Sequence, residues 1–211
     1  GINEKPSTLS EKQALAAIGQ ARLIMEYRKL FSEYNLRIAQ ILMTKSTITE
    51  DTYRDNAKAT FTQLLAYGAV PIVNENDTIS TYEIQFGDND RLSALVSALV
   101  EADLLILLSD IDGLYTDDPN TNKNAEFINF VEDVDKYMDM GKSTSKSGLG
   151  TGGMYTKLLA AQIATNSGCD MVIASAEDMS IIENIANGEE IGTYFPAKSN
   201  KDFDWLNCLE E

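Results

Sequence analysis

The sequence predicts an α/β fold, a three-layer sandwich in which helices cover both faces of a mostly parallel central sheet. Three observations carry that expectation. Short runs that are apolar from end to end alternate with longer stretches of helical periodicity, polar clusters follow the apolar runs, and a glycine-rich loop opens a late helix. With 211 residues, 44% of them hydrophobic, the chain can bury one sizeable core and is read as a single domain over residues 1–211.

The elements follow in order. Ser10-x-x-Gln13 fits a capping box, and Ala14, Ala17, Ile18, Ala21, Ile24 and Phe31 continue at helical spacing until Tyr34-Asn35. Leu36 to Met43 reads as a strand, with Gln40 interrupting its apolar run. A second helix is predicted from Asp51 to Tyr67, with Gly68 as its C-cap. Ala69 to Val73 is a short core strand that stops at Asn74-Glu75-Asn76-Asp77, and Tyr82 to Phe86 is a small hairpin or loop. The helix Leu92 to Val100 feeds the most apolar strand, Leu104 to Leu108, which breaks at Ser109-Asp110. A strand at Phe127 to Val131, a short helix, a helix from Tyr155, a strand at Met171 to Ala174, a helix from Met179 to Ala186 and a strand at Thr193 to Phe195 complete the order.

Composition narrows the chemistry. A formal charge of −16 argues against nucleic acid or an anionic membrane as partner, though not against a phosphorylated ligand neutralised locally. No apolar run approaches the roughly 18 residues of a membrane span, and no signal-peptide pattern is present. Two cysteines are too few for a disulfide framework, which points to a reducing, cytoplasmic compartment. Histidine is absent, and with it go Ser-His-Asp and Cys-His hydrolysis, histidine-bound zinc and imidazole acid–base catalysis. Carboxylates, lysines, backbone amides and oxygen-bound metal remain. Phosphoryl transfer to an acceptor that is already ionised needs nothing more.

The stretch Ser147-Gly148-Leu149-Gly150-Thr151-Gly152-Gly153-Met154-Tyr155-Thr156-Lys157 is the most informative. Four glycines in six positions leave bare backbone whose N–H groups can close around phosphate oxygens. The helix that follows aims its N-terminus at the same point, and Lys157 adds a full positive charge one turn in. A flexible glycine linker is the plainer reading, but the abrupt change to a helical pattern and the lysine speak against it. The segment also fits G-x-G-x-x-G, yet polar loop precedes it where a strand is required, and Asp170 comes before its strand. It lacks the Gly-Lys-Ser/Thr of a P-loop.

Asn74 to Asp77 and Ser109-Asp110 follow strands, where ligands bind in open α/β sheets. Taken alone, each cluster is more often a turn or a helix cap; their joint placement at one sheet edge beside a glycine loop shifts the balance towards a site. Gly87-Asp88-Asn89-Asp90 can cap the next helix with one residue and present the others to a ligand.

Read together, Pro71 to Asp77, Phe86 to Asp90, Leu107 to Tyr115 and Gly148 to Met154 closely resemble the glutamate 5-kinases of the amino acid kinase family. The resemblance runs in order from Gly1 to about Phe195 and includes Lys12-Gln13-x-Leu15-Ala16-Ala17-Ile18-Gly19-Gln20. It implies transfer of the ATP γ-phosphoryl group to the side-chain carboxylate of L-glutamate, with Mg²⁺, as the first step towards proline. It implies that Asp77 and Asn89 hold glutamate, that Asp90 orients the catalytic lysines, and that Lys157 stabilises the transferring group. Ser109, Asp110, Thr151, Gly152, Gly153, Met154, Tyr155, Thr156 and Lys157 are implied as nucleotide contacts, and no metal-ligating set is assigned to the protein. A homo-oligomer, proline as feedback inhibitor and an association with glutamate 5-semialdehyde dehydrogenase belong to the same expectation.

The family pattern opens with a strand–loop–helix–strand unit bearing a second lysine, at least about 30 residues, and that unit is expected to precede Gly1. A C-terminal PUA domain, common in the family, is expected to be absent. Two rivals stay open: another family member, acting on acetylglutamate, aspartate or uridylate, and a non-catalytic subunit that binds glutamate or proline.

Overall fold

The computed structural model describes residues 5–81, 88–117, 119, 121–139, 153–198, 200 and 203–204. The chain divides into two compact units, Gly1–Gly87 and Asp88–Glu211.

In the first unit, helix α1 (Leu9–Ser32) leads into strand β1 (Arg37–Met43). The helix is capped two residues before the expected Ser10. Thr8 is the N-cap, and its hydroxyl accepts from the Glu11 amide at 3.3 Å. The Glu11 carboxylate accepts in return from the Thr8 amide at 3.0 Å and the Ser7 amide at 2.8 Å. These bonds, led by that of Thr8, hold the Glu11 carboxyl down to about 2. Thr8-x-x-Glu11 wins over Ser10-x-x-Gln13 because Gln13 is spent elsewhere: its amide donates to the Ser80 carbonyl at 3.1 Å.

A short helix α2 (Lys45–Thr49), not foreseen, fills the turn after β1, where the Thr44 amide donates to Thr47 Oγ1 at 3.0 Å. Helix α3 (Asp51–Ala66) ends at Tyr67, with Gly68 just beyond in the left-handed region at φ 66°, as a terminal glycine should be. Strand β2 (Ala69–Glu75) pairs parallel with β1 from Arg37↔Ala69 to Met43↔Glu75. It runs two residues past Val73, the expected end, because Leu42 and Met43 offer Asn74 and Glu75 partners.

The second unit opens with helix α4 (Asn89–Val100), capped by Asp88, whose carboxylate accepts from the Arg91 amide at 2.7 Å. Strand β3 (Leu104–Ser109) follows after a short link. Strands β4 (Leu114–Tyr115) and β5 (Phe127–Ile128) form a small antiparallel hairpin, and a 3₁₀ turn covers Val134–Tyr137. The strand predicted to reach Val131 is shorter because the chain changes partner: Asn129 and Val131 bond Tyr194 instead. Helix α5 (Met154–Asn166), strand β6 (Asp170–Ser175), helix α6 (Ile181–Ala186) and strand β7 (Thr193–Phe195) complete the unit.

Strand β6 is central, parallel to β3 and antiparallel to β7. Alternate residues separate the faces. Val172 and Ala174, with Leu104, Ile106 and Leu108, pack against Ile181 and Ile185 of α6. Met171 and Ile173 turn the other way, and α4 and α5 pack on each other and on the sheet. Helix, sheet and helix make three layers. The return to β7 passes Gly192, at φ 75°, where an added Cβ would lie 2.1 Å from the Ile173 carbonyl oxygen. Beside it, the Thr193 hydroxyl donates to the Ile128 carbonyl at 2.6 Å and accepts from the Leu114 amide at 2.8 Å, which ties the hairpin to the sheet. Among the described residues no helix is long and apolar enough to cross a membrane.

Candidate functional site

Short links fix where the site forms. Val100 is joined to Leu104, and Asn166 to Asp170, by three residues each, so α4 and α5 run back along their strands. The N-termini of both helices therefore stand at the carboxyl edge of β3 and β6. That edge carries Ser109 and its register partner Ser175.

Two side chains meet there across 67 positions of sequence. Lys157 Nζ lies 3.0 Å from Asp90 Oδ2, with the two side chains only 11% and 19% exposed. Lys157 is drawn inside because α5 is apolar around its whole circumference, with Leu158, Leu159, Ala160, Ala161, Ile163 and Ala164 all buried. A cation in the first turn of a helix opposes the helix dipole. The Asp90 carboxylate offsets both that repulsion and the desolvation of the ammonium. Thr156 Oγ1 reaches the same Oδ2 at 2.8 Å and the Gly153 carbonyl at 2.9 Å. Gly153, the N-cap, has no side chain with which to satisfy the opening amides of α5. A helix start of this kind, with an ammonium beside it, suits an oxyanion.

Asp88 stands in the same group of charges. Desolvation pushes its carboxyl above the usual range, against the pull of the Arg91 amide and of the Arg91 and Lys157 charges. Its side chain caps α4, as expected of one residue of this motif, while Asn89 is exposed and Asp90 is turned to Lys157.

Ser109 ends β3, and its hydroxyl donates to the exposed Asp110 carboxylate at 3.0 Å. Met154, Tyr155 and Thr156 form the first turn of α5. Thr151 and Gly152 lie outside the described residues, as do Gly87 and residues 140–150.

Asp77 belongs to the first unit, in the turn that follows β2. The residue is exposed, yet partial desolvation raises its carboxyl. The turn is held by Ser80, whose amide and hydroxyl both donate to the Asn76 carbonyl, at 3.1 and 2.9 Å. Two residues of α1 without an assigned role position it. Gln13 bonds the Ser80 carbonyl, and Gln20 Oε1 accepts from Asn74 Nδ2 at 3.0 Å. Their signal was legible: two glutamines seven residues apart lie on one helix face.

A family model described as the amino acid kinase family matches residues 1–175. Glutamate 5-kinase from Carboxydothermus hydrogenoformans is 52% identical over 97% of this chain, which spans 55% of that protein. Glutamate 5-kinase from Clostridium perfringens is 47% identical over 95% of the chain, here spanning 76% of the relative. For Clostridium acetobutylicum glutamate 5-kinase the figures are 50%, 94% and 74%. The chain thus spans between about half and three quarters of the length of these relatives. Among solved structures, isopentenyl phosphate kinase from T. acidophilum superposes with a TM-score of 0.58 at 16% identity, over 87% of this chain and 70% of that one. UMP kinase from Bacillus anthracis gives 0.53 at 16% identity, over 91% and 66%. At such identities the likeness establishes the fold alone.

Proposed function

This chain belongs to the amino acid kinase family, and within it to the glutamate 5-kinases, and from that membership we propose that it transfers the γ-phosphoryl group of ATP to the side-chain carboxylate of L-glutamate, giving L-glutamyl 5-phosphate on the way to proline. The observation that carries the reading is the Lys157–Asp90 pair at the start of α5.

A glutamate carboxylate oxygen forms a bond to the γ-phosphorus as the bond from that phosphorus to the β–γ bridging oxygen breaks, and ADP leaves with the electron pair. The acceptor, with a reference pKa near 4.3, is ionised at neutral pH, so no base has to take a proton. A chain without histidine can therefore do this chemistry. What the protein must supply is position and positive charge. Lys157 faces the charge on the moving group, Asp90 holds that lysine, and the opening amides of α5 face phosphate oxygens. Asp77 and Asn89 hold glutamate, while Ser109, Asp110 and the segment Thr151 to Lys157 hold the nucleotide.

Mg²⁺ takes oxygen ligands, keeps several waters and commonly rides on substrate phosphates. Among the described residues no group of three His, Cys, Asp or Glu side chains is placed to hold a metal ion. When bound it neutralises phosphate charge. Assembly as a homo-oligomer in the cytoplasm, inhibition by proline and association with glutamate 5-semialdehyde dehydrogenase complete the proposal.

Incubation with ATP, Mg²⁺, L-glutamate and hydroxylamine tests it, because an acyl phosphate is trapped as the hydroxamate. Glutamyl hydroxamate should form in step with ADP release. ADP release with acetylglutamate, aspartate or UMP and none with glutamate would assign another acceptor. Binding of glutamate or proline without any transfer would make the chain a regulatory subunit.

A further inference from the structure

The resemblance implies Thr156 as a nucleotide contact, but among the described residues alone its hydroxyl already has two protein acceptors. Oγ1 lies 2.8 Å from Asp90 Oδ2 and 2.9 Å from the Gly153 carbonyl oxygen. A hydroxyl carries one proton, so it can donate to only one of them at a time. Asp90 Oδ2 in turn faces two donors from consecutive residues of α5, Thr156 Oγ1 and Lys157 Nζ.

That sharing matters when the lysine moves. An ammonium that turns to a phosphoryl group deserts Asp90 Oδ2, and a partly buried carboxylate oxygen without a donor is costly. Resting on the phosphoryl-transfer reading above, we infer that Thr156 is a positioning residue that acts through Asp90. Its hydroxyl donates to Oδ2 while Lys157 engages the transferring group, and swings to the Gly153 carbonyl when Lys157 returns. The swing requires rotation about a single C–O bond, and the Gly153 carbonyl, three residues back in the helix, is the ordinary acceptor for a threonine at a helix start. Bonding to Gly153 alone would be routine. The bond to Asp90, 66 residues away, is not.

Thr156→Val keeps the shape and removes the hydroxyl, and Thr156→Ser keeps the hydroxyl. The Val variant should lower kcat about 10-fold with both KM values within about 2-fold, and the Ser variant should stay within about 2-fold of the parent kcat. In an Asp90→Asn background, followed with radiolabelled ATP, the same Val change should cost less than about 2-fold, since the hydroxyl has lost its charged acceptor. An unchanged kcat, a KM for ATP that rises in step with the loss, failure of Ser to restore turnover, or the full loss in the Asn background would each overturn the inference. If the parent hydrolyses ATP but transfers nothing to glutamate, the substrate reading alone fails. The Val and Ser comparison is then read on hydrolysis, with the same outcomes deciding.

Discussion

Helices α1 and α5 show two ways of being a helix in one chain. α1 has 24 residues and buries none completely, with Ile18 65% and Met25 69% exposed. α5 has 13 residues and buries eight of them, Lys157 and Thr165 included. In α1 a polar side chain needs only water, and those that turn inward, Gln13 and Gln20, find partners on the 74–80 turn. In α5 two polar side chains, Lys157 and Thr165, have left water, so each needs a partner or a use. Thr165 bonds back to the Ala161 carbonyl at 2.7 Å, which is structural. Lys157 bonds a carboxylate brought from another helix, and that is where function is to be sought.

The contrast can be broken most directly by truncation. Leu158→Ala, at a fully buried position of α5, should cost about 2–5 kcal/mol in chemical denaturation, whereas Met25→Ala on α1 should stay within about 0.5 kcal/mol. Similar losses at both sites would mean that α1 is covered as fully as α5. Next in size is the charge itself. Lys157→Ala should lower kcat by at least about 10²-fold while ATP binding remains measurable, as befits a group aimed at the transition state. An unaltered kcat would reduce the lysine to a structural partner of Asp90.

Asp77 and Asn89 sharpen the comparison between the two units, since one lies in each. Alanine at either should raise KM for glutamate far more than for ATP, by about 1.5–3 kcal/mol of lost binding. Equal effects on both substrates would assign these side chains to folding. The smallest effect concerns the cap of α1. Glu11 sits at about 2 when folded, below the roughly 4.3 of an unfolded glutamate. Its contribution is therefore complete above that higher value and is lost as pH falls through the lower one. An NMR titration of the Glu11 carboxyl should show a midpoint near 2, with fraying of the first turn below it. A midpoint at the ordinary value would remove the capping box.

Strands and helices were legible wherever local chemistry decides them. Leu104 to Leu108 and Met171 to Ala174 could be read from apolar content alone, and Gly68 from the end of a helical pattern. Reading failed where a distant partner decides. Thr8 and Ser10 both begin capping patterns, and only the bond from Gln13 to Ser80 tells which is used. The end of β2 depends on Leu42 and Met43, and the end of β5 on Tyr194. The site divides in the same way. Asp90 and Lys157 stood out in their motifs, but no local pattern shows that Thr156 and Lys157 converge on one oxygen.

The long reach between Asp90 and Lys157 has a kinetic consequence. Closing a 67-residue loop costs chain entropy on the order of 4 kcal/mol. A single ion pair cannot repay that, because desolvation takes back most of its Coulombic gain. The pair is therefore assembled by the packing of α4 on α5 and does not drive it. During synthesis, a ribosome-bound chain can complete β1 and β2 long before the ammonium and the carboxylate meet. The pair arrives late, as a by-product of collapse in the second unit, and a chain interrupted before Lys157 carries the Asp90 carboxylate without its cation.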